Sequence, residues 1–140
     1  MYRQAKTIKT IGFKDYLKYA LKLRGGMTEV SINGVKVFIR SGSTDLDVAI
    51  SCLNGEYESL RYLYDSGFNG VIVDAGGYIG TAAIALSRIF PNATILTIEP
   101  SLENFSILQK NIIQFENIKP VFGALIAKDD GNISLVNRGT

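Results

Sequence analysis

Apolar and polar positions along the chain follow two periods, and the change between them marks out the elements. Residues 29–32 and 35–39 alternate with period two around Asn33-Gly34, which predicts a β-hairpin with a two-residue turn. Three short apolar runs, 71–74, 94–98 and 118–122, carry β-branched residues and predict buried strands. Between them the period lengthens to that of a helix. Residues 81–90 predict a helix stopped by Pro91-Asn92, with Ala82, Ala83 and Ala85 small enough for close packing on a sheet. Residues 102–114 predict a second helix, with Ser101 as its N-cap. Upstream, 41–44 is a turn, and 45–53 and 56–64 suit short helices, the second facing Leu60, Leu63 and Tyr64 inward. Asp130-Gly131 introduces an expected antiparallel strand at 133–136.

Strand and helix alternate from residue 71, so the fold class is α/β: a partial Rossmann-like sheet of parallel strands in the order 3-2-1, preceded by an N-terminal helix and a β-hairpin. The first strand is central in a complete sheet of this kind, and with one neighbour it exposes an apolar edge. Three regions follow: 1–26, a basic amphipathic N-terminal helix; 27–70, hairpin and helical lead-in; 71–140, the half-sheet.

Charge sharpens the picture at the N-terminus. Residues 1–24 hold seven basic residues against one acid, Asp15, although the whole chain is only +2. Phe13, Tyr16, Leu17, Ala20 and Leu21 fall on one helical stripe, Lys14, Lys18 and Lys22 on another, and Gly25-Gly26 closes the helix. That pattern suits a helix packed on the domain with its lysines in water, or a peripheral contact with an anionic membrane. Nucleic acid is not an expected partner, since neither net charge nor aromatic-basic interleaving supports it. With 46% hydrophobic residues in a chain of 140, one soluble domain can bury a core. The single cysteine, Cys52, reads as a small buried hydrophobe. No signal peptide or apolar run of membrane-spanning length is read, so the expected location is cytoplasmic.

The candidate chemistry lies where the first strand ends. Val71, Ile72 and Val73 stop at Asp74, and Ala75, Gly76, Gly77, Tyr78 and Gly80 turn the chain into the following helix. Glycine lets a ligand approach the backbone closely and lets a helix lie against its parent strand. A dinucleotide fingerprint aligned on Gly77 and Gly80 requires a first glycine where Ala75 stands, whereas D-x-G-x-x-x-G fits as Asp74, Gly76 and Gly80. A strand-end carboxylate repels a pyrophosphate but suits the ammonium and sulfonium of S-adenosylmethionine. Glu99 stands 19 positions after Gly80, at the end of the second strand, where a carboxylate can bridge two ribose hydroxyls. Pro100 keeps Glu99 extended, with its carboxylate at the strand tip.

These residues carry a family resemblance. The run VIVDAGGYIGTAAIALSRIFPNATILTIEPSLENFSILQKNI, followed by IKPVFGALIAKDDGNISLV, resembles the first half of FkbM-type S-adenosylmethionine-dependent methyltransferases, and VKVFIRSGSTDLDV and GEYESL are similar to the segments preceding it. The similarity spans roughly residues 29–136, with Glu99-Pro100, Asn104-Phe105, Asn111 and 124–131 its more particular features. It implies that Asp74, Gly76 and Gly80 line the methionine end, that Glu99 holds the ribose, and that Pro100, Ser101 and the stretch around Ala124 lie near the adenine. It also implies methyl transfer to a hydroxyl of a sugar, glycan or secondary metabolite, with that small molecule or glycan as partner and no metal. The family continues with a strand ending in D-x-E-G, which residues 132–140 do not contain, so the chain is expected to be the N-terminal part of the domain. A homo-oligomer covering the open sheet edge is one expected consequence.

The chain has no histidine, so candidate bases are Asp45, Asp47, Glu56, Tyr57 or a residue beyond Thr140, with Asp45 and Tyr57 foremost. Asp45 equally suits a helix cap, and Tyr57 a core aromatic with its hydroxyl at the surface. No catalytic residue is assigned. A truncated, non-catalytic remnant or binding module of the same fold is the alternative, and an NAD-binding protein is disfavoured by Asp74 and Ala75.

Overall fold

The computed structural model describes residues 2–21, 26–65 and 67–126, with side chains from residue 7. The expected strand at 133–136 and the Gly25 helix stop lie outside the described residues. Two helices, α1 (Tyr2–Ile11) and α2 (Phe13–Leu21), precede an antiparallel hairpin, β1 (Met27–Ile32) and β2 (Val35–Arg40). Helix α3 (Asp45–Ser51) runs into a π turn (Cys52–Glu56), and a short α4 (Leu60–Leu63) follows. The sheet then alternates as β3 (Val71–Ala75), α5 (Thr81–Ile89), β4 (Thr94–Glu99), α6 (Leu102–Ile112) and β5 (Ile118–Phe122).

The three strands pair in parallel in the order β3-β4-β5, which is the expected half-sheet. Among the described residues no strand pairs with the other edge of β3, and Val71 and Val73 stay 61% and 52% exposed. Helix α5 buries Ala83, Ile84, Ala85, Leu86 and Ile89, with Arg88 its one exposed residue, as its alanines predict. The hairpin turns at Asn33 and Gly34, both with positive φ, and alternation puts Val30, Ile32, Val35, Val37 and Ile39 into the same core.

Asn111 joins the hairpin to the sheet. Its carboxamide oxygen accepts the Phe38 N–H at 2.7 Å, and its Nδ2 donates to Phe38 O at 3.1 Å and to Ile79 O at 2.8 Å. One buried amide therefore stands in for a neighbouring strand at β2 and tethers the loop before α5. Asn111→Ala leaves one donor and two acceptors unpaired, and a loss of about 3 kcal/mol in unfolding free energy is expected by urea denaturation. A loss below about 1 kcal/mol would show that water replaces the amide.

Three expectations need correction. The N-terminal arm is two helices, because Gly12 at φ +82 breaks it while its N–H still bonds to Ile8 O. The stripe read in α2 does not pack as a unit: Tyr16 and Tyr19 meet the core, whereas Phe13, Leu17 and Leu21 are exposed. The Asp15 carboxylate accepts the Ser31 N–H at 3.0 Å, which fixes α2 along the open edge of β1 by its 15/16/19 side. That bond holds the Asp15 carboxyl below its usual range against the opposing effect of burial, with help from the Lys18 pair. Finally, the second lead-in helix is only four residues long, and Leu63 and Tyr64 point outward while Leu60 packs on the core. Among the described residues no helix is long and apolar enough to cross a membrane.

Candidate functional site

The strand β3, the loop after it and the N-terminus of α5 form one wall of a cleft of about 370 Å³. Asp74, Ala75, Gly76, Gly77 and Tyr78 line it from the sheet side, and Cys52, Glu56 and Tyr57 face them from the π turn and the residue after it. A larger cavity of about 430 Å³ shares Cys52 and Tyr57 with the cleft but receives nothing from the glycine loop.

Each glycine of the loop is required for a different reason. A Cβ on Gly77 would collide with the Thr97 hydroxyl and with Leu108, so this residue lets the loop lie flat on β4. A Cβ on Gly80 would meet Leu108 and Ile112 at 3.2 and 3.1 Å, and its φ of +86 opens α5. Gly76 has φ +90, yet a Cβ there would meet nothing within 4 Å. Packing therefore fixes Gly77 and Gly80, while Gly76 presents bare backbone to the cleft.

The loop's own N–H groups are turned inward. Gly76 and Gly77 both donate to Ile98 O, at 2.9 and 2.8 Å, Gly80 donates to Gly77 O at 2.7 Å, and Tyr78 donates to Glu99 Oε2 at 2.8 Å. An anion-binding nest needs such amides pointing at the ligand. Here three of the four are spent on β4 and the fourth within the loop. The cleft is acidic instead, lined by Asp74 and Glu56, with no lysine or arginine among its described lining residues.

Asp74 accepts the Thr97 hydroxyl at 2.8 Å. Burial raises its carboxyl above the ordinary range, and the nearby Glu99 charge adds to this, while the Thr97 bond opposes it. The folded protein thus holds this proton more tightly than the unfolded chain. Asp74 stabilises the fold at low pH, and that contribution is lost as pH rises from the unfolded value through the raised folded one. At neutral pH the carboxylate costs stability, as expected of a functional rather than a structural group. Asp74→Asn keeps the Thr97 bond and should raise the melting temperature of the free protein at pH 7 by about 2–4 °C. A lower melting temperature would mean that the charge is structural.

Glu99 is the last residue of β4, extended as Pro100 requires, but its carboxylate is not displayed at the strand tip. It is 5% exposed and turned over the loop. Besides the Tyr78 N–H, it accepts the Ser101 N–H at 2.8 Å and Asn104 Nδ2 at 3.3 Å. Ser101 caps α6 as expected, its side chain accepting the Asn104 N–H at 3.5 Å. Pro100 and Ser101 sit between Glu99 and α6, partly exposed, outside the cleft. Ala124 is exposed just beyond Gly123, whose N–H donates to Glu99 O at 3.2 Å, so this stretch borders the same strand end. Beside it, Phe122 tilts against Phe105 with ring centroids 5.4 Å apart.

Neither foremost base candidate is free to act as one. Asp45 is fully buried, and its two oxygens accept the Arg40 side chain, the Arg40 N–H and the Tyr78 hydroxyl. Burial pushes its carboxyl up, but the Arg40 and Tyr78 hydrogen bonds outweigh this and leave it below the usual range. Nor is it a cap, since Thr44 occupies that position. Tyr57 packs against the core, and burial, followed by the influence of Cys52, pushes its phenol to about 12, so it keeps its proton at neutral pH. Burial likewise raises the Cys52 thiol, consistent with an inert hydrophobe. Glu56 is exposed at the cleft, and Asp47 is exposed on α3. Among the described residues no three histidine, cysteine or acidic side chains cluster to hold a metal. Sequence reading missed Tyr78's φ of +50, which only a glycine-like local context would have signalled, and Arg40, which pairs with residues far along the chain.

No family model matches the chain. It is 42% identical to Methyltransferase 1 of Beauveria bassiana over 50 residues, 36% of this chain and 20% of that protein. Among solved structures it is similar to P. horikoshii TYW2 in complex with MeSAdo, with TM-score 0.55 and 18% identity over 74% of this chain and 38% of that one. M. jannaschii TYW2 in complex with AdoMet gives TM-score 0.52 and 21% identity over 73% and 45%. The chain spans less than half the length of these structures and about a fifth of the curated relative. At these identities the likeness establishes the α/β fold, which the chain shares with both.

Proposed function

We propose that the cleft binds S-adenosylmethionine and that the chain forms the donor-binding part of a methyltransferase. One observation carries this assignment: the amides of Gly76, Gly77 and Tyr78 are spent on β4 and the cleft is lined by Asp74 and Glu56 with no lysine or arginine among its described lining residues, so a pyrophosphate meets negative charge and a cationic cofactor meets Asp74. The 50-residue similarity to a methyltransferase and the fold shared with an AdoMet complex support it.

In this arrangement Asp74 faces the ammonium and sulfonium, Gly76 admits the cofactor against bare backbone, and Glu99, which already holds Tyr78, Ser101 and Asn104, takes the ribose with its remaining acceptor capacity, as the family resemblance implies. Beyond the rim of the cleft, Pro100, Ser101 and the stretch around Ala124 border the adenine, as the family resemblance implies. When bound, the cofactor supplies a methyl carbon made electrophilic by positive sulfur. The protein's share of the chemistry is to fix that carbon in line with an acceptor and to exclude water. The sequence resemblance supports an FkbM-type enzyme acting on a hydroxyl of a sugar, glycan or secondary metabolite.

Thermal denaturation tests the cofactor class. S-adenosylhomocysteine at about 100 times its dissociation constant should stabilise the chain by about 2.7 kcal/mol, a rise of several degrees, and NAD at the same concentration should not. Stabilisation by NAD alone would reverse the assignment.

Two surfaces support contacts beyond the cofactor. The exposed Phe13, Leu17 and Leu21 beside Lys14 and Lys18 suit peripheral binding to an anionic membrane, tested by co-sedimentation with phosphatidylserine vesicles. The open β3 edge, with Val71 and Val73 exposed, suits self-association, tested by mass in solution.

A further inference from the structure

We propose that the half-buried Arg40 paired with the buried Asp45, outside the glycine loop in sequence, is the device that positions this loop for the donor; the inference rests on the cofactor assignment above. Asp45 takes four hydrogen bonds. Its Oδ2 accepts the Arg40 N–H at 2.8 Å and Nε at 2.9 Å, and its Oδ1 accepts Nη2 at 2.9 Å and the Tyr78 hydroxyl at 2.6 Å. Arg40 extends the circuit, with Nη2 donating to Asn104 Oδ1 at 2.9 Å and Nη1 to Glu103 at 2.8 Å. Asn104 then reaches Glu99 Oε1, whose other oxygen holds the Tyr78 N–H.

The circuit closes on one residue. Tyr78 is gripped at its hydroxyl by Asp45 and at its backbone by Glu99, and the Arg40 guanidinium carbon lies 5.6 Å from its ring centroid. Tyr78 needs such a grip because its φ of +50 is a left-handed conformation that non-glycine residues avoid. Released, it returns to an ordinary backbone angle and takes with it the amide that orients Glu99. A buried ion pair is a poor source of net stability, but a planar guanidinium fork held at four points is an effective way to fix geometry. Arg40 and Asp45 act through Tyr78 and Glu99 and are positioning residues, not catalytic ones.

The test pairs amide hydrogen exchange of the free chain with S-adenosylhomocysteine affinity in Asp45→Asn, Tyr78→Phe and the double variant. Tyr78→Phe removes one hydroxyl and serves as the folded probe if Asp45→Asn melts the protein. Each single variant should speed exchange of the Tyr78 amide and weaken binding about tenfold, and the double variant should be little worse than either alone. Unchanged exchange and affinity, or losses that add independently, would overturn the proposal. Failure of the wild-type chain to bind S-adenosylhomocysteine would defeat the cofactor assignment instead, and with it the donor role, while the exchange arm still decides whether the pair holds the loop.

Discussion

Gly76→Val should abolish cofactor binding, with S-adenosylhomocysteine affinity falling at least about 100-fold while the circular dichroism spectrum is retained. The two halves of this expectation come from different features of one residue. Apart from its chain neighbours, no described residue lies within 4 Å of a Cβ built at Gly76, so the fold has room for the side chain. Its φ of +90, however, costs a β-branched residue roughly 1–2 kcal/mol, and the new methyl groups occupy the space where the cofactor meets the backbone. Gly77→Ala should fail in the opposite manner. Its Cβ strikes Thr97 and Leu108, so the fold weakens along with binding. A Gly76→Val protein that binds normally would show that the ligand does not lie against this loop.

The second large effect is expected at Glu99. Replacing it by alanine should weaken S-adenosylhomocysteine binding by about 1.5–3 kcal/mol, roughly 10- to 150-fold, as for hydrogen bonds to a charged group. It should also lower the melting temperature, because the same carboxylate holds the amides of Tyr78 and Ser101 and the side chain of Asn104. Calorimetry on the variant at a temperature where it remains folded separates the two. Loss of stability with an unchanged dissociation constant would leave Glu99 as a structural brace and remove it from the ribose.

The local features of the site were legible in the sequence because local rules generate them. An apolar run ending at Asp74, spaced glycines and Pro100 after Glu99 dictate backbone angles within a few residues, and the strands, α5, α6 and the Ser101 cap follow. What escaped the sequence depends on partners far along the chain. Asp45 resembles a candidate base until Arg40 and Tyr78 converge on it, and Asn111 looks like an ordinary helix residue until Phe38 and Ile79 bond to it. Helical spacing also gave no warning that Leu63 and Tyr64 point outward, since a four-residue helix is placed by its neighbours rather than by its own stripe. The stripe of α2 misleads similarly, because a single bond from Asp15 to the edge of β1 decides which side faces the core.

Asp74 ties the acidic cleft to the proposed chemistry with opposite signs. Its raised carboxyl marks a charge that the free fold would be better without, whereas a cationic donor would repay that cost on binding. The measurement that tests the central claim most directly is calorimetric titration of S-adenosylmethionine, which carries the positive sulfur, into the 140-residue chain and into its Asp74→Asn variant. A micromolar dissociation constant is expected for the former and weaker binding for the latter despite its higher melting temperature. No binding to the folded wild-type chain, or equal binding by both, would contradict that claim.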